Sequence, residues 1–119
     1  MSAKRSNKDE PEYLTPVIYH TLLVLSGGPK HGYAISRDVA DLTGGHISMG
    51  PGTLYGTLQR LNDNDWIRKT EAVNAKGPHA ERRRYYELTA FGRSVLRAEA
   101  RRLAQAAELA RERAILRGS

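Results

Sequence analysis

A mainly α-helical fold carrying one small antiparallel β unit is predicted by three features of the sequence. Leucines recur at i, i+4 and i+7 within short segments, as in Leu54, Leu58 and Leu61, which is the spacing of one buried helical face. Glycine and proline clusters at 27–29, 44–45 and 50–52 divide these stripes into three short helices. Residues 66–72 and 83–88 contain β-branched and aromatic residues and flank Lys76, Gly77 and Pro78, the pattern of a two-stranded hairpin with a long tip.

Residues 1–12 are polar, with Lys4, Arg5 and Lys8 followed by Asp9, Glu10 and Glu12. Lacking apolar side chains to pack, they are expected to form a flexible arm. Thr15 and Pro16 open the first helix, the hydroxyl capping free N–H groups and the proline taking a first-turn place where its missing donor costs nothing. That helix runs through Ile18, Leu22, Leu23 and Leu25 to the Gly27-Gly28-Pro29 stop. The second begins near His31 or Gly32, buries some combination of Tyr33, Ile35, Val39 and Leu42, and ends at Gly44-Gly45. Ser48 or the turn at Pro51 begins the third, and the hairpin follows it. Two helices on a short connection, a third with a polar face and a hairpin make a winged helix-turn-helix over residues 13–88.

Thr89 caps a last helix, spanning 89–119, that meets no proline and, after Gly92, no glycine before Gly118. Some thirty helical residues would reach about 45 Å, longer than a small winged-helix body needs. Leu96, Ala100, Leu103, Ala107, Ala110 and Ala114 alternate at spacings of four and three, with Leu109 and Leu116 widening the seam on one side. The start of this stripe is expected to pack on its own domain and the rest on a second copy, making a long C-terminal dimerisation helix.

The chain has 119 residues, a formal net charge of +6 and no cysteine, with a pI near 9.9. The basic balance points toward polyanions. The missing cysteines exclude disulfides, cysteine-based zinc sites and a cysteine nucleophile, and suit a reducing cytoplasm. The apolar run around 17–25 is too short to span a bilayer, and no membrane association is expected.

Opposite its leucines the third helix carries Gly52, Gly56, Gln59, Arg60 and Asp63, with Thr53, Tyr55 and Thr57 on the flanks. A helix lying in a DNA groove needs slim residues for close approach and Arg, Gln or Thr for base edges and phosphates. Taken alone, the same pattern describes an ordinary amphipathic helix with a solvated face. His31, Tyr33 and Ser48, near the starts of the second and third helices, join Gly52, Thr53, Tyr55, Thr57, Gln59 and Arg60 as candidate contacts to double-stranded DNA. In the hairpin, Lys76, Arg82, Arg83 and Arg84 gather cations where a wing would cross the sugar-phosphate backbone. Three adjacent arginines repel one another unless a polyanion is nearby.

Four segments resemble the PadR-like transcriptional regulators, a winged-helix family: LLVLSGGPKHGYAI (22–35), MGPGTLYGTLQRL (49–61), the Trp66-Ile67 strand start and RRRYYELTAFGRSVL (82–96). The resemblance implies a repressor that binds a near-palindromic operator as a homodimer and is loosened by a small, commonly aromatic, effector. The family usually has proline at the position of Gly56 and glycine at that of Asp65, where the chain leaves the helix. Multidrug-sensing members stack planar compounds on a tryptophan of the long helix. Here that helix has no aromatic residue beyond Phe91, so that mode does not carry over, and Tyr13, Tyr19 and His20 on the first helix are the candidate effector lining.

Other functions fare worse. His20, His31, His46 and His79 are scattered without metal-ligand or nucleophile–base spacing, and the Gly50 turn lacks the lysine of a phosphate-binding loop. No catalytic residue, metal or cofactor is therefore assigned. A nonspecific or architectural DNA binder is the alternative, using the same cations without base readout. A protein-interaction module is disfavoured by the basic wing.

Overall fold

The computed structural model describes residues 13–71 and 84–116. The expected arm at 1–12 and the hairpin tip with Lys76, Arg82 and Arg83 lie outside the described residues. The order is α1 (Pro16–Leu25), β1 (Lys30–His31), α2 (Gly32–Leu42), α3 (Pro51–Asp63), β2 (Ile67–Glu71), β3 (Arg84–Leu88) and α4 (Ala90–Glu112). Four helices and a small antiparallel sheet make the winged-helix fold expected from the sequence.

Both threonine caps act as the sequence implies. Thr15 accepts from the Ile18 amide at 3.2 Å, and Thr89 accepts from the Gly92 amide at 2.9 Å. Ser48 does not cap α3, whose N-cap is Gly50 with no side-chain hydrogen bond and with Pro51 at the first helical position. Three helices close in one manner. The N–H of Gly45, Trp66 and Ile115 each reaches back five residues, to Ala40, Leu61 and Ala110, while the preceding residue turns left-handed: Gly44 at φ 61°, Asp65 at 64° and Ala114 at 64°. Asp65, and not Asn64, thus takes the turn after α3.

Two expectations are corrected here. The sheet has three strands in the order β1-β3-β2, because Lys30 and His31 pair with Tyr86 and Tyr85 on the outer edge of the hairpin. The last helix has 23 residues, about 35 Å, and the Ala114 closure leaves that residue outside the helical seam.

The core joins Leu22 and Leu25 of α1, Ile35 and Val39 of α2, Leu58 and Leu61 of α3, Ile67 of β2 and Val95 of α4. Each such side chain contributes roughly 1.5–3 kcal/mol by leaving water. Leu96, the first residue of the stripe, is buried in this core, as expected of the start of the helix, and α1 packs against α4. Tyr33 and Leu42 were candidates for the core and are exposed instead, since Ile35 and Val39 set the inward face of α2.

Tyr86, buried at the centre of β3, seals the sheet to the helices. Burial, then the neighbouring Tyr55, raise its phenol above the ordinary 10.0, with Arg84 opposing. The folded state therefore prefers the neutral hydroxyl. Its stabilising contribution is intact below pH about 10 and is lost as pH rises toward the higher folded value. Urea midpoints measured from pH 8 to 11 should fall more steeply for the wild type than for Tyr86→Phe. Parallel curves would deny Tyr86 this role.

Candidate nucleic-acid interface

The leucine stripe of α3 is buried at Leu54, Leu58 and Leu61, which turns the other side outward. Gly52, Thr53, Tyr55, Gly56, Gln59, Arg60 and Asp63 are exposed and Thr57 is half-buried. Space is open at Gly50, Gly52 and Gly56, where an added Cβ would meet nothing within 4 Å. The first two turns of α3 are therefore a slim ridge, narrow enough for close approach to a grooved surface.

The start of α2 lies beside this ridge. A Cβ on Gly32 would sit 2.7 Å from the Tyr55 hydroxyl, so glycine is what lets Tyr55 lie across the first residue of α2. Tyr33, 65% exposed, stands next to it with the Arg37 guanidinium 5.6 Å from its ring centre. Tyr33, Ser36, Met49, Pro51, Leu54 and Tyr55 line a shallow cavity between the two helix starts. Tyr33 and Tyr55 thus share one surface with the turn at Pro51, and Gly52 and Thr53 follow that turn as exposed residues of α3. Arg37 and Ser36 were missed, although the Tyr33/Arg37 spacing of four residues places a cation beside an exposed ring.

His31 has a local task. Its Nδ1 accepts from the Ala34 amide at 3.3 Å, capping α2, and its ring meets Tyr85 edge-on at 5.7 Å. This ties the helix-turn-helix to the sheet. Arg84 is exposed at the start of β3, on the strand that leads from the tip. Across the hairpin, Arg68 donates to Glu87 at 2.6 Å, an exposed cross-strand pair that holds register more than it adds stability.

Gln59 is engaged within its own helix. Its Nε2 donates to Asp63 Oδ1 at 2.9 Å, fixing one side of the amide.

The candidate effector residues make local aromatic and polar contacts. Tyr13 is exposed, with the Arg102 guanidinium 4.5 Å from its ring centre, and Arg102 also pairs with the buried carboxylate of Glu99. Tyr19 and His20 meet edge-on, and His20 Nδ1 lies 2.8 Å from the Pro16 carbonyl. Beyond Glu99, α4 turns apolar side chains to solvent: Leu103 is 44% and Leu109 53% exposed, whereas Ala100, Ala107 and Ala110 are half-buried. Among the described residues no group of three or more His, Asp or Glu is placed to hold a metal ion, and no helix is long and apolar enough to cross a membrane.

Residues 21–98 match the model of the transcriptional regulator PadR-like family. A 37.1 kDa protein in transposon Tn4556 of Streptomyces fradiae is 39% identical over 84 residues, 71% of this chain and 22% of that protein. The chain therefore spans less than a quarter of that relative's length. A PadR-like transcription factor from Bacteroides fragilis is similar in structure with a TM-score of 0.64 and 25% identity, covering 81% of this chain and 87% of that one. Bacillus subtilis PadR in complex with operator DNA shares the fold with a TM-score of 0.58 and 23% identity, over 71% of this chain and 46% of that one.

Proposed function

The chain belongs to the transcriptional regulator PadR-like family, and from that premise we propose that it binds double-stranded operator DNA through α3. It does so as a cytoplasmic homodimer joined along α4, represses transcription from a near-palindromic site and is released by a small aromatic effector. The observation that carries the DNA reading is the slim exposed ridge of α3, with Gly52 and Gly56 open to approach and Thr53, Tyr55, Gln59 and Arg60 around them. The operator complex of Bacillus subtilis PadR, which shares the fold, supports DNA as the partner. In the dimer, two α3 helices enter successive major grooves about one helical turn apart, and the wings lie on flanking backbone or minor groove.

Selection of genomic fragments by the purified protein at near-physiological salt tests this reading. Recovery of a short inverted repeat is the expected result, whereas fragments without a common sequence would favour a nonspecific or architectural binder. Arg60→Ala should relax preference at one position of the repeat, by about 1–3 kcal/mol. Arg83→Ala should weaken binding to all sequences alike and shallow the salt dependence by about one phosphate contact. Equal losses for both variants on cognate and random DNA would refute these roles.

A further inference from the structure

Asp63 is an acidic residue on the exposed line of α3 that the DNA reading leaves unexplained. On the helical wheel it falls in line with Gly52, Gly56 and Gln59, so a duplex approached by that ridge would bring its phosphates near a negative charge. It is also the last residue of α3, where the helix dipole disfavours an anion. Phosphate binding does not call for a carboxylate there, and its side-chain hydrogen bond is to Gln59, an i,i+4 pair that by itself adds only slightly to helix stability.

A carboxylate offers only acceptors, so the group of Gln59 turned toward Asp63 must be the amide nitrogen. One N–H of Gln59 is thereby used at 2.9 Å, and Oε1 with the second N–H remains for a ligand. Without Asp63 the amide could rotate by a half-turn and exchange its donor and acceptor. The two glycines, with open space where side chains would stand, let the third turn of α3 approach as closely as the first.

We propose that Asp63 is a specificity-positioning residue, which holds the Gln59 amide so that it reads an adenine edge in the major groove. Adenine is the base whose major-groove edge presents one donor, N6–H, and one acceptor, N7. Guanine presents two acceptors there, which the held Oε1 opposes. The inference rests on the assignment of α3 as the DNA-contacting helix. Asp63 touches no base. It selects by fixing another side chain, against its own repulsion from phosphates.

The test is selection from a randomised duplex library with the full chain as wild type, Gln59→Ala, Asp63→Ala and the double variant, followed by titration on the selected site and its single-base changes. Both residues are exposed, and unchanged thermal unfolding confirms that each variant is folded. The wild type should prefer adenine over guanine at one position of each half-site by about tenfold. Gln59→Ala and Asp63→Ala should each lose that preference, with the double variant no worse than Gln59→Ala alone. Asp63→Ala should also bind a scrambled duplex more tightly than the wild type, which Gln59→Ala should not. Asp63→Asn, whose amide can donate as well as accept, should lose the preference too. An adenine preference that survives Asp63→Ala would overturn the proposal while leaving α3 as the reader. A wild type that selects no common sequence would overturn the sequence-specific reading and this inference with it.

Discussion

Gly92→Ala should cost the fold about 3 kcal/mol, the upper end of what overpacking a core usually costs, read as a large drop in the urea midpoint at unchanged slope. Gly92 is buried in the first turn of α4, and a Cβ there would lie 1.9 Å from the Trp66 carbonyl oxygen and 2.7 Å from its carbon. Backbone, unlike the end of a flexible side chain, has no rotamer to escape into. The same Trp66 carbonyl accepts from the Thr89 amide at 3.1 Å, and the Thr89 hydroxyl donates to the Asp65 carbonyl at 2.6 Å. Relief of the clash by moving α4 therefore breaks the joint between α4 and the turn after α3. Gly56→Ala is the control. It places the same methyl on an exposed helix with nothing within 4 Å, so it should stabilise by about 0.5–1 kcal/mol through helix propensity alone. Equal stability of the two variants would show that α4 slides freely over the start of β2.

Thr89 was legible as a helix cap, but the need for glycine at position 92 was not. A helix cap and a glycine three residues on can be read in any sequence, but the carbonyl that forbids a side chain at Gly92 comes from Trp66, 26 residues earlier. Local signals carried α1, α2 and α3 well, because Thr15, Pro16, Pro51 and the leucine spacing act through neighbouring backbone. The two-residue β1 strand was not legible: Lys30 and His31 have no strand pattern of their own and exist as a strand only where β3 offers an edge. The end of α4 was missed because Ala114 occupies a left-handed closure usually held by glycine. Within the interface, the exposed groups of α3 followed from periodicity. The Gln59–Asp63 bond concerns one rotamer pair among several that helical spacing allows, and spacing alone did not select it.

Leu103→Glu should turn the proposed dimer into a monomer and reduce operator affinity by about a hundredfold or more, since two half-sites bound through one linked molecule gain that much over separate binding. The periodic stripe is uniform in sequence from Leu96 onward, but its surroundings are not. Val95, Leu96 and Glu99 are buried in the chain's own core, whereas Leu103 and Leu109 stand about half exposed on the same helix. Alanines at 100, 107 and 110, beside these leucines on the helix, would let a second helix come close, so a self-complementary face is the economical cover for this surface. A carboxylate at position 103 would have to lose its water inside that interface, which costs several kcal/mol when unpaired. Arg101→Gln makes the same one-unit change in net charge at an exposed position on the far side of α4 and should leave assembly unchanged. Sedimentation equilibrium and operator titration on the same preparations separate the outcomes. A Leu103→Glu protein that stays dimeric would place the interface elsewhere, and a monomer with undiminished operator affinity would detach the long helix from DNA recognition.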